Sequence, residues 1–397
     1  MKKIFTLVAA ALCSMSMMAK DYTCPLVINM MGTDMPVDDI KVSVDEQKDG
    51  KYTMSLLNFK MNEFMQIGNI VIKDVEATKC GNVIMLNAAR DIQITKGDDE
   101  NVEWMGPGLG NVNILLKGEL KGDNFNAYLN IPLAGNMIVG VKLGKNCNEM
   151  GQLPNAGFEN FHEASYDKAT SQEPNGWHSF MSSTGSMASM VSAAVHTYAS
   201  SEVRENAAED NKQCVKVVST PVKVGSWVAA SANGTITTGR LKAGSMTASS
   251  KDNCSFLDFS STDVDANGDP FYAVLNNKPD AMKVWVKFKA GDGNKNPKAT
   301  ISALLTNGKY AQDPEDDKYA ANIIGRAQNS SIESKDEWQE ITIPFTYDNE
   351  NEMPKAALVT MSTCAVPSGG SKSETNPDVL YARRLLRLRL SKTRRLR

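Results

Sequence analysis

The sequence predicts an all-β protein in two parts, an up-and-down β-barrel followed by a β-sandwich of jelly-roll type. Three observations carry this expectation. Apolar residues alternate with polar ones at a period of two over short runs bounded by turn residues. Helical periodicity is almost absent. At 397 residues the chain exceeds what one hydrophobic core usually serves, and a polar stretch, Lys145 to Gln152, divides shorter strands from longer ones. The composition, 42% apolar and 22% charged, is that of globular protein rather than disordered chain.

The N-terminus reads as a secretory signal over residues 1–19. Lys2 and Lys3 precede a short apolar run, Ile4 to Met18, and Ala19 offers a small residue for cleavage. The run is too short for a transmembrane anchor, and no later stretch is apolar enough to span a bilayer. The apolar sequence continuing past Cys13, with Leu12 before it, argues for simple cleavage rather than lipidation. Export places the protein in the periplasm or on the outer-membrane surface. Six cysteines then remain at wide, irregular spacings without a C-x-x-C, and they read mainly as buried free thiols, with room for a bridge.

From 20 to 147 the expected barrel strands follow in order. Pro25 to Met30 opens the domain, and Ile40, Val42 and Val44 alternate with polar residues. Asp49-Gly50 suits a tight hairpin turn, and Tyr52, Met54 and Leu56 return from it. Ile67 to Val75, Val83 to Leu86, Ile92 to Thr95, Ile114 to Leu120, Ala127 to Ile131 and Met137 to Leu143 complete eight or nine strands. Six methionines (30, 31, 54, 61, 65 and 85) either fill this core or line an adaptable apolar pocket.

From 153 to 381 strands resume between longer loops. Val284, Val286 and Phe288 alternate with Lys283, Trp285, Lys287 and Lys289, and Ile341, Ile343 and Phe345 repeat the pattern. Asn-Gly pairs at 233–234, 267–268 and 307–308 read as turns. Met187 to Ala199 suits either a short helix or a buried strand. Residues 382–397 (ARRLLRLRLSKTRRLR) carry seven Arg, one Lys and no acid. Without them 35 basic residues face 46 acidic ones. Such a tail can bind nucleic acid, yet it starts abruptly within the strand-like run Val379 to Tyr381, as a shifted reading frame would make it. We therefore expect no nucleic-acid partner.

The second part opens LPNAGFENF, with PNGWHSF at 174–180. GTITTG (234–239), GDPF (268–271), KPDAMKVWVKF (278–288), Ile324-Gly325 and EWQEITIPFTY (337–347) follow in that order. This order resembles the carbohydrate metabolism domain of exported Bacteroides proteins, a jelly-roll family. The first part resembles the calycin-like barrel that often precedes that domain. The resemblance implies a non-enzymatic, glycan-binding or glycan-handling protein of the cell envelope. It also implies a last strand bearing Asp residues after a Leu-Tyr run; here Ala382-Arg383-Arg384 follows Tyr381, so that strand is expected to be missing or garbled.

A sugar site calls for aromatic rings, because pyranose C–H faces stack on Trp or Tyr. Trp285 and Trp338 lie on the polar parity of their strands, and Trp177 and Trp227 lie in loop-rich stretches; a buried, structural Trp is the bland alternative for all four. Asp263, Asp265, Asn267 and Gly268 match the first half of a calcium loop, although Val274 stands where its bidentate Glu belongs. Glu159 is implied by the jelly-roll resemblance as a ligand of a structural Ca2+. The three histidines, His162, His178 and His196, lack metalloprotease spacing and read as surface or capping residues. No nucleophile elbow and no phosphate-binding loop appears. A small apolar ligand in the barrel, a surface adhesion role and a polysaccharide hydrolase stay open as alternatives.

Overall fold

A computed structural model describes residues 19–383 apart from 31–32, 81, 133–137, 146, 148–149, 151, 168, 193–194, 205–211, 225, 276 and 350–351. The expected signal segment, Met31, Met137 and the tail from Arg384 lie outside the described residues. The chain divides into two compact units, 1–150 and 151–397. No helix among the described residues is long and apolar enough to cross a membrane.

The first unit is a closed antiparallel barrel of eight strands, each paired with the next. They are β1 (Lys20–Met30), β2 (Thr33–Glu46), β3 (Tyr52–Lys60), β4 (Gln66–Cys80), β5 (Val83–Gln93), β6 (Asn111–Lys121), β7 (Asn124–Pro132) and β8 (Ile138–Leu143). Leu26 to Met30 of β1 pair with Leu143 back to Val139 of β8, which closes the ring. Alternation decides what enters the core: Tyr22, Cys24, Leu26 and Ile28 point inward from β1, and Val112, Ile114, Leu116 and Leu120 from β6. Two runs read separately in the sequence, Val83 to Leu86 and the one starting at Ile92, merge into β5. Met54 and Met85 are buried, Met30 and Met61 pack against the core, and Met65 is exposed. Tyr22, Tyr52, Phe59 and Phe125 are also buried in this interior. A cleft of about 610 Å³ opens where β2 and β3 part, since only Ser43 to Glu46 pair with Tyr52 to Ser55. Its lining mixes Asp38, Asp39, Lys41 and Glu63 with Leu56 and Phe59.

The second unit begins with β9 (Phe161–Tyr166), β10 (Ala169–Pro174), helix α1 (Ala188–Ser192), β11 (Thr197–Ser200), β12 (Cys214–Val218), β13 (Thr220–Val224) and β14 (Trp227–Ala232). Next come β15 (Thr235–Thr237), β16 (Arg240–Ala243), β17 (Asn253–Leu257), β18 (Ala273–Val274), β19 (Ala281–Lys289), β20 (Lys298–Thr306) and β21 (Ala311–Asp313). The unit ends with β22 (Ile323–Glu333), β23 (Gln339–Pro344), β24 (Thr346–Tyr347), β25 (Ala356–Ser362) and β26 (Val379–Arg383). The stretch 187–199 thus supplies both a one-turn helix and the start of a strand.

Two sheets dominate, one ordered β11-β12-β26-β19-β23, the other β15-β25-β20-β22-β24 with β18 beside β25. One core lies between them, with Val215, Val217, Val284, Val286, Phe288 and Leu380 facing Ile301, Ala303, Leu305, Val359 and Met361. The chain crosses between sheets from β19 to β20, β22 to β23 and β25 to β26, which is jelly-roll connectivity. The second sheet is buried on its other face as well, where Leu304, Ala356 and Leu358 meet Leu257, Tyr272 and Ala311. That double burial explains the unbroken apolar run Ala356 to Val359, which a one-sided strand would interrupt with polar residues.

The last strand corrects the expectation of a missing one. β26 is central, between β12 and β19, and extends through Ala382 and Arg383. Leu380 and Ala382 are fully buried in the core, so residues 382 and 383 belong to the sandwich and not to a tail. The pairing rests on backbone hydrogen bonds, and inward Leu and Ala keep the parity whatever charge follows.

Candidate metal centre and aromatic face

The β9–β10 hairpin sets His162 directly opposite Glu173. A turn at Asn175-Gly176 follows, with Gly176 at φ +75° and its amide donating to Asp269 Oδ2 at 2.9 Å. A side chain at Gly176 would strike the Pro154 ring 2.8 Å away, so the turn requires glycine. The chain then drops Trp177 into the core and bonds His178 to Thr237 through both backbone groups, at 2.8 and 3.0 Å. Asp265 arrives from a loop closed by Asp265 N donating to Asp269 O, with Gly268 at φ +82°.

These elements bring four side chains together. His162 Nε2 lies 3.8 Å from Glu173 Oε2 and 3.4 Å from Asp265 Oδ2, and His178 Nε2 lies 3.2 Å from that same Asp265 oxygen. Glu173 and His178 are fully buried, and the Asp265 and His162 side chains nearly so. None of these four atoms has a partner in hydrogen-bond geometry. The other polar atom of each residue is held. His178 Nδ1 donates to Gly239 O at 2.8 Å, and His162 Nδ1 meets Asn175 Oδ1 at 3.2 Å. Glu173 Oε1 accepts from the Ser179 amide at 2.7 Å and from its hydroxyl. Asp265 Oδ1 accepts from the amides of Asn267 and Asp269 at 2.9 and 2.8 Å. Burial works to raise the Asp265 carboxyl, but His178, the Asp269 amide and His162 outweigh it and hold it below the usual carboxylate range.

Of the expected calcium ligands only Asp265 reaches this cluster. Asp263 pairs with Arg240 at 2.8 Å, and the Asn267 side-chain amide donates to Asp269 Oδ2 at 2.9 Å, so the loop turns its oxygens to protein partners. Glu159 Oε2 accepts from the Lys212 and Gln213 amides at 3.1 and 3.2 Å, and its buried Oε1 has no hydrogen-bond partner. The histidines overturn the surface reading: His178 and His196 are buried and His162 is largely so. Metalloprotease spacing was the wrong signal for His162, Glu173 and His178. The usable one was the hairpin itself, whose register sets residues eleven apart in sequence face to face.

The tryptophans separate. Trp177 is fully buried, edge-on to Phe158 at 5.1 Å, with Nε1 donating to Pro154 O at 2.9 Å; it is a core residue and offers no stacking surface. Trp227 is 79% exposed on the β13–β14 hairpin, where it pairs with Val224. Trp285 and Trp338 lie half-buried on the outer face of the five-stranded sheet. There Tyr198, Lys216, Tyr381 and Lys287 are successive cross-strand partners over β11, β12, β26 and β19. Trp338 lies 6.5 Å from Tyr381, ring centre to ring centre. One step along β19, Trp285 pairs with Glu340 and carries the Arg204 guanidinium 4.3 Å above its ring. Lys287 is joined to Glu202 at 2.9 Å and Lys283 to Glu340 at 2.6 Å.

The five described free cysteines, Cys24, Cys147, Cys214, Cys254 and Cys364, are all buried. Burial pushes the Cys24, Cys147 and Cys254 thiols up to about 11 and Cys214 to about 12, which leaves them protonated and inert at neutral pH.

Comparison with known proteins finds no match among curated sequences. Among solved structures, the chain is similar to a candidate glycoside hydrolase from Bacteroides vulgatus at 13% identity and TM-score 0.41, over 61% of this chain and 99% of that one. It is similar to a second from Bacteroides thetaiotaomicron at 12% identity and TM-score 0.40, over 71% and 87%. A carbohydrate-binding module of the β-sandwich superfamily matches at 11% identity and TM-score 0.24, over 78% and 96%. Residues 18–143 match the calycin-like β-barrel domain family, and with its ring of eight consecutive strands the first unit is a calycin-like barrel.

Proposed function

We propose that this is an exported, non-enzymatic glycan-binding protein of the bacterial cell envelope, with its sugar site on the outer face of the five-stranded sheet. One observation carries the reading: Tyr198, Tyr381 and Trp338 lie along a row of that face with Lys216 and Lys287 between them. Rings at such spacing offer apolar platforms to successive sugar units, while Lys287, Glu202 and Glu340 supply groups for the hydroxyls. Trp285, stacked under Arg204, extends the platform along β19.

The test is calorimetry of the processed protein against plant and host polysaccharides, preceded by a glycan array. Binding to at least one polysaccharide class is expected. Trp338→Ala and Tyr381→Ala should each weaken it by about 1–3 kcal/mol, while Trp227→Ala leaves it unchanged. Absence of binding to every glycan, or affinity indifferent to both substitutions on the face, would remove the proposal.

A further inference from the structure

We infer that His162, Glu173, His178 and Asp265 form a binding site for one zinc ion. The donor atoms of His162, Glu173 and Asp265 lie within 4.8 Å of one another, and His178 Nε2 closes on the same Asp265 oxygen. Zinc bonds of about 2.05 Å in a tetrahedron put neighbouring donors roughly 3.3 Å apart. The separations here, 3.2, 3.4 and 3.8 Å, bracket that value.

Hydrogen bonding supplies the second strand of reasoning. The Gly239 carbonyl can only accept, so His178 Nδ1 donates to it and Nε2 is the ring atom turned to the cluster. The contact of Nδ1 with Asn175 Oδ1 orients His162 likewise. Two ring nitrogens and two carboxylate oxygens thus lie in a buried space, none of them with a hydrogen-bond partner. Buried polar atoms without partners are rare and costly. A divalent cation where His162, Glu173 and Asp265 converge gives these atoms a shared partner, with His178 beside it.

The surroundings fit that role. Each of the four residues is oriented by a hydrogen bond on its other polar atom, the pattern that fixes metal ligands in place. Two imidazoles with two carboxylates suit zinc, whereas calcium and magnesium take oxygen donors. The ion is held by the three donors that converge, with His178 against their shared Asp265 oxygen. It ties the β9–β10 hairpin and the segment bridged to β15 to the loop at 263–270, three pieces that no single sheet holds together.

The experiment uses the processed full chain, stripped with chelator and titrated with zinc chloride in one arm and calcium chloride in another. One equivalent of zinc with a raised Tm is expected, and no response to calcium. Asp265→Asn should abolish stoichiometric uptake, and Asn175→Ala should weaken it by about tenfold through loss of the ring's support. Should either variant fail to fold, cobalt substitution of the unaltered protein decides: a tetrahedral visible spectrum supports the site. No zinc uptake, no cobalt spectrum, or nuclear magnetic resonance showing both Nε2 atoms protonated at neutral pH after zinc addition would overturn it.

Discussion

His196 is the residue whose chemistry is most constrained by its surroundings. It is buried beside Phe180, its Nδ1 donates to Val218 O at 2.9 Å, and its Nε2 has no hydrogen-bond partner. Burial depresses its pKa to about 4, against a smaller opposing effect of the Val218 carbonyl. In the unfolded chain the ring titrates near 6.5, so between those values the unfolded state takes up a proton that the folded state refuses. The stability this residue protects is therefore whole above pH 6.5 and is lost as pH falls towards 4, a window worth about 3 kcal/mol. Urea unfolding at pH 7, 5.5 and 4.5 should show His196→Gln losing less stability on acidification than the native protein. Parallel losses would assign the acid sensitivity elsewhere. At this same scale the sequence revealed parity but not depth. Trp177 and Trp227 both read as loop-rich tryptophans, yet one fills the sandwich and the other is exposed.

At the scale of elements, β26 decides whether the sandwich closes. A charge at Ala382, fully buried between β12 and β19, would have no partner in the core. Ala382→Asp should cost several kcal/mol and leave the second unit unfolded at 25 °C, read by tryptophan fluorescence. Val379→Thr, on the outer face, should cost less than about 1 kcal/mol. Glycines matter in the same way. Asn233-Gly234 has the letters of a turn, but Gly234 works by close approach: a Cβ there would lie 2.5 Å from the Val218 backbone. Gly234→Ala should therefore destabilise the second unit by a few kcal/mol, whereas Ala at Gly293, whose φ is +71° with open space around it, should cost about 1 kcal/mol. Thermal unfolding of the two variants checks the ranking. The alternation of β2, β3 and β19 was readable in advance because one-sided burial writes itself as a period of two. The two-sided burial of β25 erased that period, and β26 was misjudged because basic residues after Tyr381 hid its inward Leu and Ala.

For the whole molecule, the barrel and sandwich cores share no residue. Each closes over its own strands, the first by pairing β8 to β1 and the second by crossing between two sheets. A fragment of residues 20–147 is accordingly expected to fold alone, with strand-dominated circular dichroism and a cooperative transition. A molten fragment would show that the second unit supports the first. Limited proteolysis of the full chain within 145–152 should release the same piece.

By itself the sequence determined the all-β character, the two-unit division and the inward and outward parities of the regular strands. Those properties follow from local rules, the side-chain period of a strand and the residues a turn tolerates. Tertiary structure alone decided which outward aromatics line up across β11, β12, β26 and β19. It alone gathered His162, Glu173, His178 and Asp265, with Asp265 arriving from more than eighty residues away. Chain letters specify what a strand buries; only sheet order and loop closure specify which side chains meet.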